Sequence, residues 1–173
     1  MSKTIQQIAA VAELNHGSVV NTKAALKEIT MGQRPFAEIL KSMLTSLSEG
    51  RITDFVAGFQ GPFKFTDHAL NLEFREHQQL TEFLEKSREL FPDTVIEVVS
   101  VFQSGDAAIA EWKLTATQTV SAGSMNLRMP ILLSGVSIAQ FNGGKITRWT
   151  DYYDQLTSRR MGLAAFFTEW VEL

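Results

Sequence analysis

Residues 135–154 read Gly135-Val136-Ser137-Ile138-Ala139-Gln140-Phe141-Asn142-Gly143-Gly144-Lys145-Ile146-Thr147-Arg148-Trp149-Thr150-Asp151-Tyr152-Tyr153-Asp154. Residues of high strand propensity lie on both sides of Asn142-Gly143-Gly144, which supplies the glycines a tight hairpin needs. The stretch predicts two antiparallel strands, Met129 to Phe141 and Lys145 to Asp154, the first broken by Gly135. Successive side chains of a strand point to opposite faces. Thr147, Trp149, Asp151 and Tyr153 are therefore expected on one face, with Arg148, Thr150 and Tyr152 on the other.

Upstream of this hairpin the period-two pattern continues. Val95 to Phe102 and Ala107 to Val120 read as strands joined by Ser104-Gly105-Asp106, and Ser121 to Ser124 as a turn. Before Phe91-Pro92-Asp93 the period changes to that of helices. Phe36, Ile39, Leu40, Met43, Leu44 and Leu47 mark a helix that starts at Pro35 and stops at Gly50. Ile52, Phe55, Val56 and Phe59 suggest a short second helix, Phe63 to Asp67 a brief strand, and Glu76 to Leu90 a third helix. Met1 to Gln33 reads as an extension with two helical pieces, near residues 5–12 and 21–31. A last helix is expected over Thr157 to Glu172, with Phe166, Phe167, Trp170 and Val171 on one stripe. Helices first and a four-stranded antiparallel meander after them define an α+β domain over residues 34–173. A curved sheet wrapped round the Pro35 helix would enclose a conical cavity.

Composition narrows the function. The 173 residues suit one domain plus a short extension. There is no cysteine, which excludes disulfides, thiolate metal sites and a cysteine nucleophile. Sixteen Lys and Arg against nineteen Asp and Glu give a net charge of −3, which argues against nucleic acid as a partner. With no signal-peptide pattern and no apolar run long enough for a membrane helix, a cytoplasmic protein is expected. His16, His68 and His77 are too scattered for a metal site, and no phosphate loop or nucleophile elbow occurs.

Two carboxylates are the candidate chemistry. Asp151, between Trp149 and Tyr153, would be desolvated if that face lines the cavity, and its pKa would rise toward that of a general acid or base. The alternative is a solvated aspartate at a strand end. Asp67 ends the Phe63–Asp67 strand with Phe65 on its own face. It either shares the cavity, so that the two carboxylates push their pKa values apart, or it only caps the following turn. Trp112, Leu114, Ala116 and Gln118 share a strand face. If that face meets the cavity, its lining is apolar, with Gln118 able to orient a carbonyl. Core packing is the competing role for Trp112 and Trp149.

The 135–154 hairpin resembles the closing hairpin of SnoaL-like polyketide cyclases and limonene-epoxide-hydrolase-like proteins, within the nuclear transport factor 2-like superfamily. Phe91-Pro92-Asp93, Ser104-Gly105-Asp106 and Glu111-Trp112-Lys113-Leu114-Thr115-Ala116-Thr117-Gln118 are similar to the middle strands of SnoaL-like proteins. The resemblance implies a cone-shaped α+β fold from about Arg34 to Asp154. It also implies proton handling or water activation by Asp151, and a base or water-holding position at Asp67. The departures from these families are specific. The Arg-x-Asp pair of the epoxide hydrolases is replaced by Trp112 and Leu114, and their water-positioning Tyr by Phe65. The oxyanion groups of ketosteroid isomerases fall near Met43 and Ser137, and the His of many SnoaL-like proteins near Gln118.

The expectation is thus a cofactor-free acid–base enzyme acting on a small apolar carbonyl-type molecule. Asp151 and Asp67 would be its catalytic residues, and Phe65, Trp112, Leu114, Gln118, Trp149 and Tyr153 its substrate-binding lining. A non-catalytic binding module of the same fold is the alternative. A homodimer is expected through the outer sheet face, where Ile138, Ile146 and Tyr152 would leave an apolar patch.

Overall fold

The computed structural model describes residues 35–122 and 125–154, with side chains 120–127 left out. The extension over residues 1–33 and the helix expected over 157–172 lie outside the described residues.

The described chain runs α1 (Phe36–Ser48), α2 (Ile52–Val56), β1 (Phe59–Asp67), β2 (Leu72–Phe74), α3 (His77–Leu90), β3 (Val95–Ser104), β4 (Ala107–Ala122), β5 (Met125–Asn142) and β6 (Lys145–Tyr153). The apolar stripe of α1 buries Leu40, Met43 and Leu44. Gly50, at φ +72°, ends the helix in the left-handed region that glycine enters without strain. Gly143 and Gly144 take φ +58° and +82°, as the hairpin between β5 and β6 requires.

Six strands form one curved, unclosed sheet in the order β2-β1-β6-β5-β4-β3. The expected meander is present as β3 to β6, all antiparallel. β1 adds to it in parallel with β6, and β2 pairs antiparallel with β1 at the edge. α1 packs against β3 and β4, and the core lies between the helices and the inner sheet face.

Several local expectations need correction. Phe59 opens β1 instead of closing α2, because its buried ring belongs to the Phe59–Phe63–Phe65 face of that strand. β2 was not expected; three residues are too few to show a period. β5 runs unbroken through Gly135. Glycine is needed there for space: a Cβ would lie 2.5 Å from the Trp112 ring and 2.8 Å from the Tyr152 carbonyl oxygen.

The β5–β6 ladder carries a one-residue bulge. Phe141 pairs with Ile146 and Gln140 with Arg148, so Thr147 is the extra residue. Ile146 therefore joins Trp149 on the buried side, in place of Thr147, and is fully buried instead of part of the outer apolar patch. Tyr152 does lie exposed on the outer face, stacked on His68 with ring centroids 4.5 Å apart.

Candidate active site

β1 and β6 run parallel in a register that places Asp67 beside Asp151 at their carboxyl ends. β5 sets Ser137 opposite Asp151, and β4 sets Trp112 opposite Gly135. Four strands thus bring one polar group each to a single patch of the inner face.

A hydrogen-bonded chain joins three of these groups. The Trp112 indole Nε1 donates to Ser137 Oγ at 2.9 Å. The Ser137 hydroxyl donates in turn to Asp151 Oδ1 at 2.5 Å. The same oxygen accepts from Trp149 Nε1 at 2.8 Å. Both bonds go to Oδ1, which leaves Oδ2 as the oxygen without a protein donor among the described residues.

Asp67 is held differently. Its Oδ1 accepts from the Leu70 backbone N–H and its Oδ2 from the Tyr153 hydroxyl, both at 2.9 Å. Both roles considered for Asp67 are therefore filled: it caps the β1–β2 turn and it lines the cavity.

The electrostatics follow from this placement. Burial, followed by repulsion from Asp67, raises the Asp151 pKa to about 7 against the opposing pull of Ser137 and Trp149. Burial raises Asp67 to about 6, opposed by the Leu70 and Tyr153 bonds. Burial and the neighbouring Asp67 push the Tyr153 phenol up, so it remains a neutral donor. The two carboxyls titrate as a pair, and Asp151 is near half-protonation at neutral pH.

The cavity in front of the pair has a volume of about 200 Å³. Of the residues expected to line it, Trp112, Leu114, Trp149, Tyr153, Asp67 and Asp151 do so. Phe65 and Gln118 do not. Phe65 packs behind Trp149, with ring planes 8° apart and centroids separated by 6.3 Å. Gln118 shares the inner face but lies further along β4 than Ala116, where the lining stops; it is buried, and its Oε1 has no hydrogen-bond partner among the described residues. Both tryptophans are core residues, and both also donate to the polar chain. Two of the lining residues outside the expected set bear on the chemistry. Ser137 connects Trp112 to Asp151, and Arg88 reaches the cavity from α3. No group of three His, Asp or Glu among the described residues could hold a metal ion. No helix among them is long and apolar enough to cross a membrane.

Removing the Ser137 hydroxyl tests this connection. Ser137→Ala would leave the Trp112 N–H buried without an acceptor, at a cost of about 1–3 kcal/mol in chemical denaturation. It would also raise the Asp151 pKa further, since a bond to the charged form is lost. Carboxyl NMR titration reads that shift; an unmoved pKa would show that Ser137 does not tune Asp151.

Comparisons with known proteins agree with this architecture. A candidate polyketide cyclase of Acidithiobacillus ferrooxidans is 26% identical, with a TM-score of 0.58 over 72% of this chain and 91% of that one. A candidate SnoaL-like polyketide cyclase of Shewanella denitrificans shares 16% identity and a TM-score of 0.62, over 76% of this chain and 99% of that one. A Catenulispora acidiphila protein of ketosteroid isomerase-like fold, crystallised with trimethylamine, shares 14% identity and a TM-score of 0.57 over 68% and 85%. No curated protein sequence matches the chain. The family model of the SnoaL-like domain matches residues 40–149, from α1 to the tryptophan that holds Asp151, and the chain belongs to that family.

Proposed function

We propose that this protein is a cofactor-independent enzyme that moves a proton on a small apolar substrate bearing a carbonyl group. One observation carries the reading: Asp151 faces a largely apolar cavity, with one oxygen held by two donors and the other without one among the described residues. Burial there pushes its pKa up to about 7. A carboxyl poised at the working pH can both take and return a proton. Asp67, with both oxygens occupied, is the fixed second carboxyl whose charge keeps Asp151 basic enough to act.

In this scheme Asp151 removes a proton from the carbon next to the substrate carbonyl. The C–H bonding pair becomes the C=C bond of an enolate, and the carbonyl π pair moves to oxygen. Where a C=C bond is conjugated with the enolate, return of the proton to its far carbon gives isomerisation; attack of the enolate carbon on a second carbonyl of the same molecule breaks that C=O π bond, and the alkoxide formed takes the proton back from Asp151 to complete cyclisation. The walls formed by Trp112, Leu114, Trp149 and Tyr153 would exclude water from these steps. Structural neighbours described as candidate polyketide cyclases support a reaction of this class.

The test is carbon-acid exchange in D₂O, followed by proton NMR, on a panel of apolar ketones headed by β-tetralone. Wild-type protein is expected to accelerate exchange. Asp151→Asn, which keeps the shape and the accepting oxygen, is expected to lose at least about a hundredfold, with little change in β-tetralone affinity. Equal exchange rates in the two proteins would remove the assignment. Binding without exchange by the wild type would leave a ligand-binding module.

A further inference from the structure

We propose that Arg88 is a specificity-determining residue that makes the cavity select an apolar substrate carrying a carboxylate. The inference rests on the proposed function only in taking this cavity as the substrate site.

Arg88 lies in the last turn of α3 and lines the cavity from the helical wall, whereas Asp67 and Asp151 reach it from the sheet. Its guanidinium is fixed from one side. Nη1 donates to the Ser48 carbonyl oxygen at the end of α1, at 3.3 Å, and to the Thr94 carbonyl oxygen before β3, at 3.1 Å. The group packs against Gly50, where a Cβ would lie 3.2 Å from Nε and 3.4 Å from Nη2. Those two bonds leave Nε and Nη2 without a hydrogen bond to the described residues. Arg88 also makes no ion pair with any of them.

A half-buried cation at an apolar cavity normally has a counter-charge, since desolvating an unpaired guanidinium is unfavourable. Among the described residues no acid supplies one. The Nε–Nη2 edge has the spacing that a carboxylate matches with two parallel bonds. Because two carbonyls already hold the group, little side-chain freedom remains to be lost on binding. A substrate acid at Arg88 would also keep its charge away from Asp67 and Asp151, and orient the rest of the molecule toward the sheet.

Tryptophan fluorescence gives the test, since Trp112 and Trp149 both line the cavity. β-Naphthoate and β-naphthamide have the same shape and differ in charge. At pH 7 the wild-type protein is expected to bind the naphthoate about tenfold or more tighter than the amide, as for a charge-assisted paired bond. In Arg88→Gln the preference should fall to near one, and Arg88→Lys, which keeps charge but not the planar fork, should lie between. If Arg88→Gln does not fold, Arg88→Lys decides. Equal affinity of the wild type for the two probes, no detectable naphthoate binding, or a preference unchanged in the variants would overturn the proposal. Loss of stability with an intact preference would assign Arg88 to a structural clamp between α1 and β3 alone. Binding needs no turnover. Failure here therefore leaves the Asp151 chemistry standing, and failure of exchange in the ketone assay leaves the acid preference standing.

Discussion

At pH 8, Asp151→Asn is expected to be more stable than the parent protein by roughly 2–4 kcal/mol, and at pH 4 the two should be nearly equal. The sign follows from linkage. Burial raises the folded-state pKa of Asp151 from an ordinary 3.8 to about 7. Between these values the native protein binds a proton that the unfolded chain does not, so stability falls as pH rises across that window. Above it the penalty is complete. Three pKa units correspond to about 4 kcal/mol as an upper bound, since one unit is about 1.4 kcal/mol, and the partial access of Asp151 to the cavity reduces it.

Asparagine removes the charge while its oxygen can still accept from Ser137 and Trp149, so the variant is spared this loss. Asp67, raised to about 6 by its own burial, contributes in the same direction in both proteins and cancels from their difference. Urea denaturation at pH 4, 6 and 8 reads the difference directly, and titration of exposed groups cancels between the two proteins. Equal stability at pH 8 would mean that Asp151 is hydrated with an ordinary pKa, and the proton-transfer role would fall with it. The variant expected to lose activity is thus expected to gain stability, the usual relation at a site that holds a group in an unfavourable state.

The fold was legible because long elements repeat their period. α1, α3 and the meander were found within a few residues of their limits, since a dozen residues of alternating or helical burial leave little ambiguity. β2 and the start of β1 were not, because three residues show no period and Phe59 suits a helix end as well as a strand. The pairing of β1 with β6 is non-local, and no local pattern encodes which edge of a sheet a strand joins.

At the site, parity along β6 correctly placed Trp149, Asp151 and Tyr153 together. The resemblance set Ser137 near an oxyanion position, but its contact with Asp151 was missed for a geometric reason. Counting back from the turn, where Asn142 pairs with Lys145, sets Ser137 opposite Thr150. The bulge at Thr147 moves the register by one and sets it opposite Asp151 instead. A bulge leaves little trace in composition, yet this one decides which hydroxyl reaches the carboxylate. Gln118 shows the complementary limit. Parity gave its face correctly, but position along the strand, beyond the end of the cavity, decides whether it meets a ligand.

Gly135→Ala should be among the most damaging single-methyl changes in the protein. The added Cβ would sit 2.5 Å from the Trp112 ring and 2.8 Å from the Tyr152 carbonyl oxygen. The second contact is with backbone of the adjacent β6, which cannot withdraw without opening the ladder, so the indole has to move. Trp112 is buried, and its indole N–H donates to Ser137, which in turn holds Asp151. Overpacking alone costs about 1–3 kcal/mol, and stranding a buried N–H costs a further 1–3 kcal/mol or so. A total loss of about 3–5 kcal/mol is therefore expected in urea denaturation. The effect on the site should exceed the effect of stability alone. Under conditions where the variant is still folded, the Trp112 fluorescence should shift toward that of a hydrated indole, and ketone exchange should fall although both carboxylates are intact. Trp112→Phe in the same background separates the two contributions: a smaller ring without the N–H should recover much of the stability but not the hold on Ser137. A Gly135→Ala protein with parental stability and parental exchange would show that the close approach of Trp112 to β5 is not what positions Asp151.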